Sequence, residues 1–491
     1  MGDYMEFERL PILLKRYAFG AKMSIAQKNS MEIMNFNKIV DSEKLSSSHL
    51  PWELETFALL SISTGAEYDN QNFNGTKGER KFIKIMDAIR NYQHPKVFSK
   101  SEEDNLFDYF LIVTGLTQFP IQEDTHYITY RYQYMFNFKN EKVSMPEEFK
   151  AKFGAEFREY LDLGIILNLS FMARNHPKVL DYILIKYEHI IKYLIIEREN
   201  FNRLQSKVTT DIKQYLYGFK YFYQYPFISY NEKTYLPLPH LIMHSVTSSL
   251  LFRLTEGDDK FRNVFGKEVL ENYLIHIIKL TNQFEEVKGD FRYQSKKGGK
   301  DTLDVMAINK DYCFMIDSKS MVPRLALRNL AIETIQHTID RLAKAVVQVY
   351  LHLTERLTKE YYPFSREVQF LPENIFGAVI ILEESYIRRE VVMKKAADLL
   401  NLKHKTKEYQ FLCSNIKILS LYSMERMVFE GHDIIEKLVE NRNSEKNWFA
   451  YNLLGQEVSN QEVRKEIKLI KDQNLQTMTD FIDELKNVGF N

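Results

Sequence analysis

The sequence predicts an α+β fold in which an all-helical N-terminal domain is followed by a C-terminal α/β domain with a mixed central sheet. Apolar residues recur at helical spacing over the first half of the chain, whereas short apolar strands alternate with helices further on. Between these parts, Pro226, Pro237 and Pro239 preclude a continuous helix. Since 491 residues exceed what one hydrophobic core usually serves, we expect two domains, over residues 1–225 and 226–491.

Composition narrows the classes of function. The chain has 66 Lys and Arg residues against 66 Asp and Glu residues, so any surface for a polyanion must be a local patch. Cys313 and Cys413 are the only cysteines, which excludes a disulfide framework and a cysteine-rich zinc site and fits a reducing compartment. The first residues are acidic and form no apolar signal core, and charged residues interrupt the longer apolar runs. We therefore expect a cytoplasmic protein that does not contact a membrane.

The N-terminal half shows helical periodicity and little else. Its apolar residues recur at helix spacing in segments such as 57–62, 107–113 and 161–172. The sequence of this half contains no internal repeat, and none of its acids falls at a metal-ligand spacing. We therefore expect it to hold no catalytic residue and to act as a regulatory or partner-binding domain.

The C-terminal half predicts alternating helices and strands, with the core at about residues 260–430. A helix at 261–280 precedes a short segment at 283–287, a basic stretch at 288–300 that is predicted to be a flexible loop, and two apolar strands joined by a turn at 309–311. The remaining predicted elements are a long helix at 324–357, a buried strand at 376–382, a helix at 387–400, a strand at 416–422 and a closing helix at 461–488. This order predicts a mixed sheet with helices on both faces.

Three charged residues lie at the ends of the two adjacent apolar strands. Asp304 opens the first strand, and Asp317 and Lys319 close the second, on one face because they are two residues apart. Charge at the mouth of a sheet core is costly unless it binds a metal or a substrate. Carboxylates holding Mg²⁺ beside a fixed positive charge could neutralise a phosphate and activate a water. The alternative is a surface hairpin whose acids form exposed ion pairs of little energetic consequence.

The helix before these strands offers a further acid. At about 100° per residue, Glu271 falls inside the apolar arc between Val264 and Ile278, whereas Glu268 lies on the polar side. An acid that faces the core is the better ligand candidate, so Glu271 is preferred and Glu268 is the second choice. A helix glutamate bridged to Lys267 is the ordinary structural alternative.

The arrangement of Asp304, Asp317 and Lys319, within the order helix, hairpin, long helix, strand, helix and strand, resembles the PD-(D/E)xK, or restriction-endonuclease-like, nuclease superfamily. The resemblance implies a restriction-endonuclease-like α/β domain, Mg²⁺ or Mn²⁺ as the cofactor and DNA as the substrate. It also implies that Asp304, Asp317 and Glu271 are metal ligands, and that Lys319 orients the water or stabilises charge. Gln348, on the long helix, stands where some branches place a glutamine near the scissile phosphate.

Basic residues close to these acids in sequence predict a surface for DNA phosphates. The candidates are Arg292, Lys296, Lys297, Lys300 and Arg324. A solvated loop is the ordinary alternative for such a charge run. By analogy, a large helical domain attached to such a nuclease suggests a restriction or antiphage-defence effector whose helical half binds a protein partner or a phage trigger. The alternative function is a catalytically inactive nuclease-fold module that serves DNA or protein binding.

Overall fold

A computed structural model of the chain describes residues 6–34, 49–64, 67–92, 106–118, 123–172, 177–208, 218–295, 298–323, 327, 331–442 and 464–489. The structure is 62% helical and contains mixed sheets, which confirms the predicted α+β class. Within these ranges, no helix has both the length and the apolar composition that crossing a lipid bilayer requires.

Helices dominate the first half of the chain, as the apolar periodicity predicts. They are α1 (Leu10–Leu14), α2 (Phe19–Met34), α3 (Pro51–Ser63), α4 (Gly75–Arg90), α5 (Leu106–Gln118), α6 (Thr125–Asn137), α7 (Met145–Phe153), α8 (Phe157–Met172), α9 (Pro177–Lys186), α10 (Glu188–Ile191) and α11 (Arg198–Val208). The half is not purely helical, because the short strand β1 (Ile195–Glu197) pairs in parallel with β2 (Phe227–Tyr230). β2 also pairs with β3 (Lys233–Tyr235), which completes a small separate sheet.

The second half contains a central five-stranded sheet and a separate hairpin. The strands are β4 (Glu286–Gly289), β5 (Arg292–Ser295), β6 (Gly298–Asp301), β7 (Val305–Asn309), β8 (Tyr312–Lys319), β9 (Ile375–Ile381) and β10 (Ile416–Ser420). The sheet order is β10-β9-β8-β7-β4, in which β8, β9 and β10 are parallel and β7 is antiparallel to both of its neighbours. The predicted mixed sheet is therefore present. The predicted hairpin is the β7–β8 pair, whose turn begins at Lys310 with a φ of 49°.

The basic stretch between β4 and β7 differs from its prediction as a flexible loop. It forms the β5–β6 hairpin, in which Tyr293 pairs with Lys300. Phe291 and Thr302 close the base of this hairpin, because Thr302 N donates to Phe291 O at 3.0 Å and Phe291 N donates to Thr302 Oγ1 at 3.0 Å. Gly298 has a φ of 106°, which glycine adopts without strain. Gly298, one of the two glycines on which the predicted flexibility rests, is therefore the first residue of β6.

Helices cover both faces of the central sheet. The helices of this half are α12 (Ile242–Ser245), α13 (Ser248–Thr255), α14 (Asp259–Val264), α15 (Glu271–Leu280), α16 (Ile332–Leu351), α17 (Arg389–Leu399), α18 (Lys407–Asn415), α19 (Leu421–Phe429), α20 (Ile434–Glu440) and α21 (Lys465–Asn487). Of these, α15 and α19 pack on one face of the sheet, and α16, α17 and α18 pack on the other. A π-helical segment, Phe265–Leu270, joins α14 to α15. α16 provides the crossover that the parallel strands β8 and β9 need.

The apolar core does not separate at the predicted boundary near residue 226. On one face of the sheet, Phe314 and Ile316 of β8 share a cluster with α15 and also with residues of α6 to α9, from Tyr127 onward. On the other face, Cys313 and Met315 pack with α16 and α17. A third cluster surrounds α2, α3 and α4. The helices after residue 123 therefore belong to the same packed body as the sheet.

A buried ion pair crosses the same boundary. Arg131 on α6 donates through Nε and Nη2 to the two carboxylate oxygens of Glu425 on α19, at 2.8 and 2.5 Å. Tyr273 on α15 donates its hydroxyl to Glu425 Oε1 at 2.7 Å. Removing one partner of such a pair would lower the stability of the fold by about 3–5 kcal/mol, because it leaves the other charge buried and uncompensated. This network ties α6 and α15 to the end of the sheet at which α19 begins.

Candidate active site

Acidic residues lie at one end of the strands of the central sheet. We call this end, with Asp290, Asp304 and Asp317, the acidic edge. β4 and β8 end at this edge, and β7 begins there. Extending the observed pairing by one residue sets Asp290 opposite Asp304, and Asp304 opposite Asp317. Residues opposite each other in antiparallel strands project from the same face, with Cβ atoms about 4.5–5.5 Å apart. The structure thus brings Asp304 and Asp317 together and adds Asp290 beside them.

Each of the two predicted strand acids has one oxygen engaged. Asp304 Oδ2 accepts hydrogen bonds from Ser318 N at 2.5 Å and from Ser318 Oγ at 2.8 Å. Lys319 Nζ lies 2.7 Å from Asp317 Oδ2 as an ion pair, although the angles are not those of a hydrogen bond. Lys319 therefore projects from the same face as Asp317. Within the described ranges no hydrogen bond reaches Oδ1 of either aspartate, so these oxygens keep lone pairs for a ligand.

The surroundings of these acids oppose their ionisation. Burial raises the pKa of Asp317 to about 6, while Lys319 opposes this rise and Asp304 adds to it. Burial also raises the pKa of Asp304, against the effect of the hydrogen bonds from Ser318 and the charge of Lys319. Acids perturbed by burial and by each other are typical of functional sites, although ion-pair networks also produce such shifts.

Glu271, the first residue of α15, approaches these acids from the helix. Burial raises the pKa of Glu271 to about 9, and the charges of Asp304 and then Asp290 add to this rise. The π-helical segment before it passes close to the end of β8, because a Cβ atom at Gly266 would lie 3.0 Å from Ser320 Oγ. Glycine at this position allows the helix to approach the acidic edge. π-helical turns are frequent at functional sites.

Glu268, the second choice from the sequence, is directed away from the strand acids. It forms an ion pair with Lys142 Nζ at 2.7 Å and accepts a hydrogen bond from Asn140 Nδ2 at 2.9 Å. Burial opposes its ionisation, but the bonds from Lys142 and Asn140 outweigh burial and lower the pKa of Glu268. Glu271 rather than Glu268 therefore belongs with the acidic edge.

Asp290 is the site residue that the sequence did not suggest. It forms an ion pair with Lys267 Nζ at 3.2 Å. Burial is the largest cause of the raised pKa values of Glu271 and Asp304, and the negative charge of Asp290 is a further cause of both. Its place directly after β4 is the signal that could have identified it, but the sequence sets that segment at 283–287 and treats Asp290 as a lone acid in a basic loop.

Gln348 is not brought to the acidic edge. It is exposed on α16. Its neighbour Val349 lies against Gly377, where a Cβ atom would come within 2.3 Å of Val349 Cγ1, and Gly377 pairs with Met315. Met315 precedes Lys319 by four residues, a distance of about 13 Å along a strand. We therefore leave Gln348 out of the candidate site.

The predicted DNA-contacting residues are only partly within the described ranges. Lys296, Lys297 and Arg324 lie outside them. Arg292 is exposed on β5. Lys300 on β6 lies 3.7 Å from the carboxylate of Glu360, in the segment after α16. The structure thus directs Lys300 toward Glu360 and does not bring it to the strand acids.

The carboxylates fit a hard divalent cation by their chemistry. In the described part of the chain, no three His, Cys, Asp or Glu side chains are close enough to form a ready-made metal site. However, carboxylate oxygens are the ligands that Mg²⁺ and Mn²⁺ prefer. No hydrogen bond from the described residues reaches Oδ1 of Asp304, Oδ1 of Asp317 or the carboxylate of Glu271. A bound cation would favour the charged form of these acids, against the burial and, after it, the mutual repulsion that raise their pKa values.

A large cavity elsewhere is separate from these acids. It has a volume of about 1150 Å³ and lies among the end of α16, the start of α18 and Ile375 at the start of β9. Ile375 pairs with Cys313, whereas Lys319 pairs with Ile381, so the cavity and the acids are at opposite ends of the sheet. None of the acids of the acidic edge lines this cavity.

Comparison of the chain with protein-family models, with curated proteins and with solved structures finds no match. The side chains at the acidic edge must therefore indicate the function without help from a relative.

Proposed function

We propose that this chain is a metal-dependent nuclease that hydrolyses DNA phosphodiester bonds at the acidic edge. The observation that carries this proposal is the placement of Asp304, Asp317 and Lys319 on one face at one end of adjacent strands. The order of α15, the β7–β8 hairpin, α16, β9, α17 and β10 also agrees with the order that the resemblance to PD-(D/E)xK enzymes implies. Together these features support phosphodiester hydrolysis more specifically than an acidic patch would.

The roles follow from the chemistry of hydrolysis, in which a water oxygen bonds to phosphorus, the bond to the leaving oxygen breaks, and a proton passes to that oxygen. A bound Mg²⁺ or Mn²⁺ would supply Lewis-acid charge and lower the pKa of a water. Asp304, Asp317 and Glu271 are the residues that would hold it. Lys319 keeps a positive charge beside Asp317, where it can neutralise a phosphate oxygen as charge develops.

A second candidate is the catalytically inactive module that binds DNA or protein. The ion pair between Lys319 and Asp317 favours it, because this lysine occupies one oxygen that a metal would otherwise use. The lack of a ready-made group of three ligands in the described residues favours it as well. Binding without cleavage would distinguish this candidate from the nuclease.

The test is cleavage of supercoiled plasmid by the purified full chain, with Mg²⁺, with Mn²⁺ and with EDTA. We expect nicking or linearisation that depends on the metal and is lost in Asp304→Asn and in Asp317→Asn. Glu268→Gln is the control, because it also replaces an acid with its amide, but at a side chain that pairs with Lys142 and is directed away from the strand acids. Cleavage that persists in EDTA or in both asparagine variants would contradict the proposal. DNA binding without cleavage under every metal condition would favour the inactive module.

The biological role proposed for this nuclease is restriction or antiphage defence, with a protein partner or phage trigger acting on the helical part. It rests on analogy between domain combinations. Cells that carry the chain should plate phage less efficiently than cells that carry Asp317→Asn. Equal plating with a panel of unrelated phages would argue against a defence role, and would leave the plasmid assay as the measure of catalysis.

A further inference from the structure

Ser318 lies one residue before Lys319 on β8 and holds the carboxylate of Asp304 with two hydrogen bonds. Its main-chain N–H and its side-chain hydroxyl both donate to Asp304 Oδ2, at 2.5 and 2.8 Å. The pairing of β7 with β8 ends at Val305 and Ile316, so the N–H of Ser318 lies beyond the last pair and donates to a side chain. The carboxylate of Asp304 thus takes the place of a main-chain acceptor where β7 begins.

Two donors on one oxygen restrict the rotation of this carboxylate. The last torsion of an aspartate side chain has a broad energy minimum, so a carboxylate without partners adopts many orientations. The two hydrogen bonds select one orientation of Asp304, in which no hydrogen bond from the described residues reaches Oδ1. Donors that orient a metal-ligating side chain in this way typically contribute about 10–100-fold to metal affinity or activity.

The structural alternative is that Asp304 only ends the pairing of β7 with β8. The side-chain oxygen of an asparagine would accept both hydrogen bonds from Ser318 without placing a charge at this position. Burial raises the pKa of Asp304, so the charged form is costly there. The two hydrogen bonds alone therefore do not require a carboxylate, whereas a cation bound at Oδ1 would benefit from its charge.

We propose that Ser318 is a positioning residue that directs Oδ1 of Asp304 toward the divalent cation of the acidic edge. This inference rests on the proposed nuclease function and adds a residue that acts on the cation through its ligand. Any residue other than proline would supply the main-chain donor at this position, so the hydroxyl is the part that depends on serine. Loss of the hydroxyl should widen the range of orientations of the Asp304 carboxylate and weaken cation binding without removing a ligand.

The test measures the affinity of the full-length chain for Mn²⁺ by isothermal titration calorimetry, with no DNA present. We expect Ser318→Ala to bind Mn²⁺ about tenfold more weakly than wild type, at the low end of the range for such donors because the main-chain hydrogen bond remains. Ser318→Thr keeps the hydroxyl and should bind Mn²⁺ within about twofold of wild type. Asp304→Asn should fold, because its amide oxygen accepts the same hydrogen bonds, and should lose most of the affinity.

A second measurement separates positioning from a general loss of structure. In plasmid cleavage, Ser318→Ala should raise the Mn²⁺ concentration that gives half of the maximal rate about tenfold, and excess Mn²⁺ should restore most of that rate. A purely structural defect would lower the maximal rate and leave the half-saturating concentration unchanged. Ser318→Cys, with a similar volume and a weaker donor, gives the same comparison if Ser318→Ala does not fold.

The matched control is Ser320→Ala, the same substitution two residues further along the chain, where the hydroxyl lies beside Gly266. Ser318→Ala protein that binds Mn²⁺ as tightly as Ser320→Ala would overturn the role of the Ser318 hydroxyl, while metal-dependent plasmid cleavage would still support the nuclease. Ser318→Thr protein that binds Mn²⁺ as weakly as Ser318→Ala would also overturn it, since the hydroxyl would not be what matters. Wild-type protein that neither binds Mn²⁺ nor cleaves plasmid would overturn both proposals.

Discussion

Replacing Glu271 with Gln should stabilise the protein at neutral pH, although Glu271 is a candidate metal ligand. An unperturbed glutamate has a pKa of 4.5, whereas burial and the charges of Asp304 and Asp290 raise the pKa of Glu271 to about 9 in the folded protein. Between these values the folded state binds more protons than the unfolded state. Stability therefore falls as the pH rises from the lower value toward the higher one, and the glutamine variant avoids this loss.

The size of this gain follows from the interval between the two pKa values. One pKa unit corresponds to about 1.4 kcal/mol, so the interval from the ordinary value to neutral pH sets an upper limit of about 3 kcal/mol. Contact of Glu271 with water reduces the gain below that limit. Below the ordinary glutamate pKa, wild-type and variant proteins are both uncharged at this position and should be equally stable.

Urea unfolding of the two proteins at neutral and at acidic pH measures the difference. Mg²⁺ should reduce this difference in stability at neutral pH. A ligand that binds only the folded state stabilises it, and the wild-type protein keeps the candidate ligand Glu271 that the variant lacks. Glu268→Gln is the control of opposite sign, since it loses the ion pair with Lys142 and should be less stable at neutral pH. The reasoning is refuted if Glu271→Gln is no more stable than wild type at neutral pH, or if its advantage is unchanged in acid.

Three further predictions concern the roles of single side chains. Lys319→Ala should reduce plasmid cleavage by at least about a hundredfold, as loss of transition-state charge stabilisation does elsewhere, while DNA affinity measured by anisotropy stays within about twofold. Joint replacement of Lys296, Lys297 and Lys300 with Ala should weaken DNA binding and flatten its salt dependence, because phosphate contacts release counterions. If the dependence of DNA affinity on salt concentration is unchanged, DNA binds to another surface of the protein. Gln348→Ala should cleave plasmid like wild type, since Gln348 is exposed away from the acids, and a large loss would restore it to the site.

The sequence predicts the parts of the site that depend on local periodicity. Strand alternation requires Asp317 and Lys319 to share a face, and their ion pair meets this requirement. The helical angle of about 100° per residue separates Glu271 from Glu268, and the structure directs only Glu271 to the acids. These inferences need no knowledge of how distant segments pair.

The parts that depend on distant pairing were not predictable in the same way. Asp290 joins the acids only because β4 pairs with β7 in one particular register, across the intervening β5–β6 hairpin. The sequence predicts a loop in place of that hairpin, because lysines and glycines are typical of loops. Gln348 shows the converse case, in which a residue that is near in sequence order lies far away in the fold. It follows Lys319 along the chain, but α16 must run back along the sheet to serve as a crossover, which carries its last turns away from the end of β8.

The proposed regulatory role of the helical part would require packed contacts that cross the predicted domain boundary, because side chains from both parts share one core. Tyr273 lies two residues after Glu271 and donates to Glu425, which Arg131 of α6 holds with two hydrogen bonds. A fragment that begins near residue 226 would lose Arg131 and leave the carboxylate of Glu425 buried without its cation, at a cost of about 3–5 kcal/mol. It would also expose the apolar face that α6 to α9 cover. Such a fragment would lack the helices that complete the core on which α15 and Glu271 are positioned.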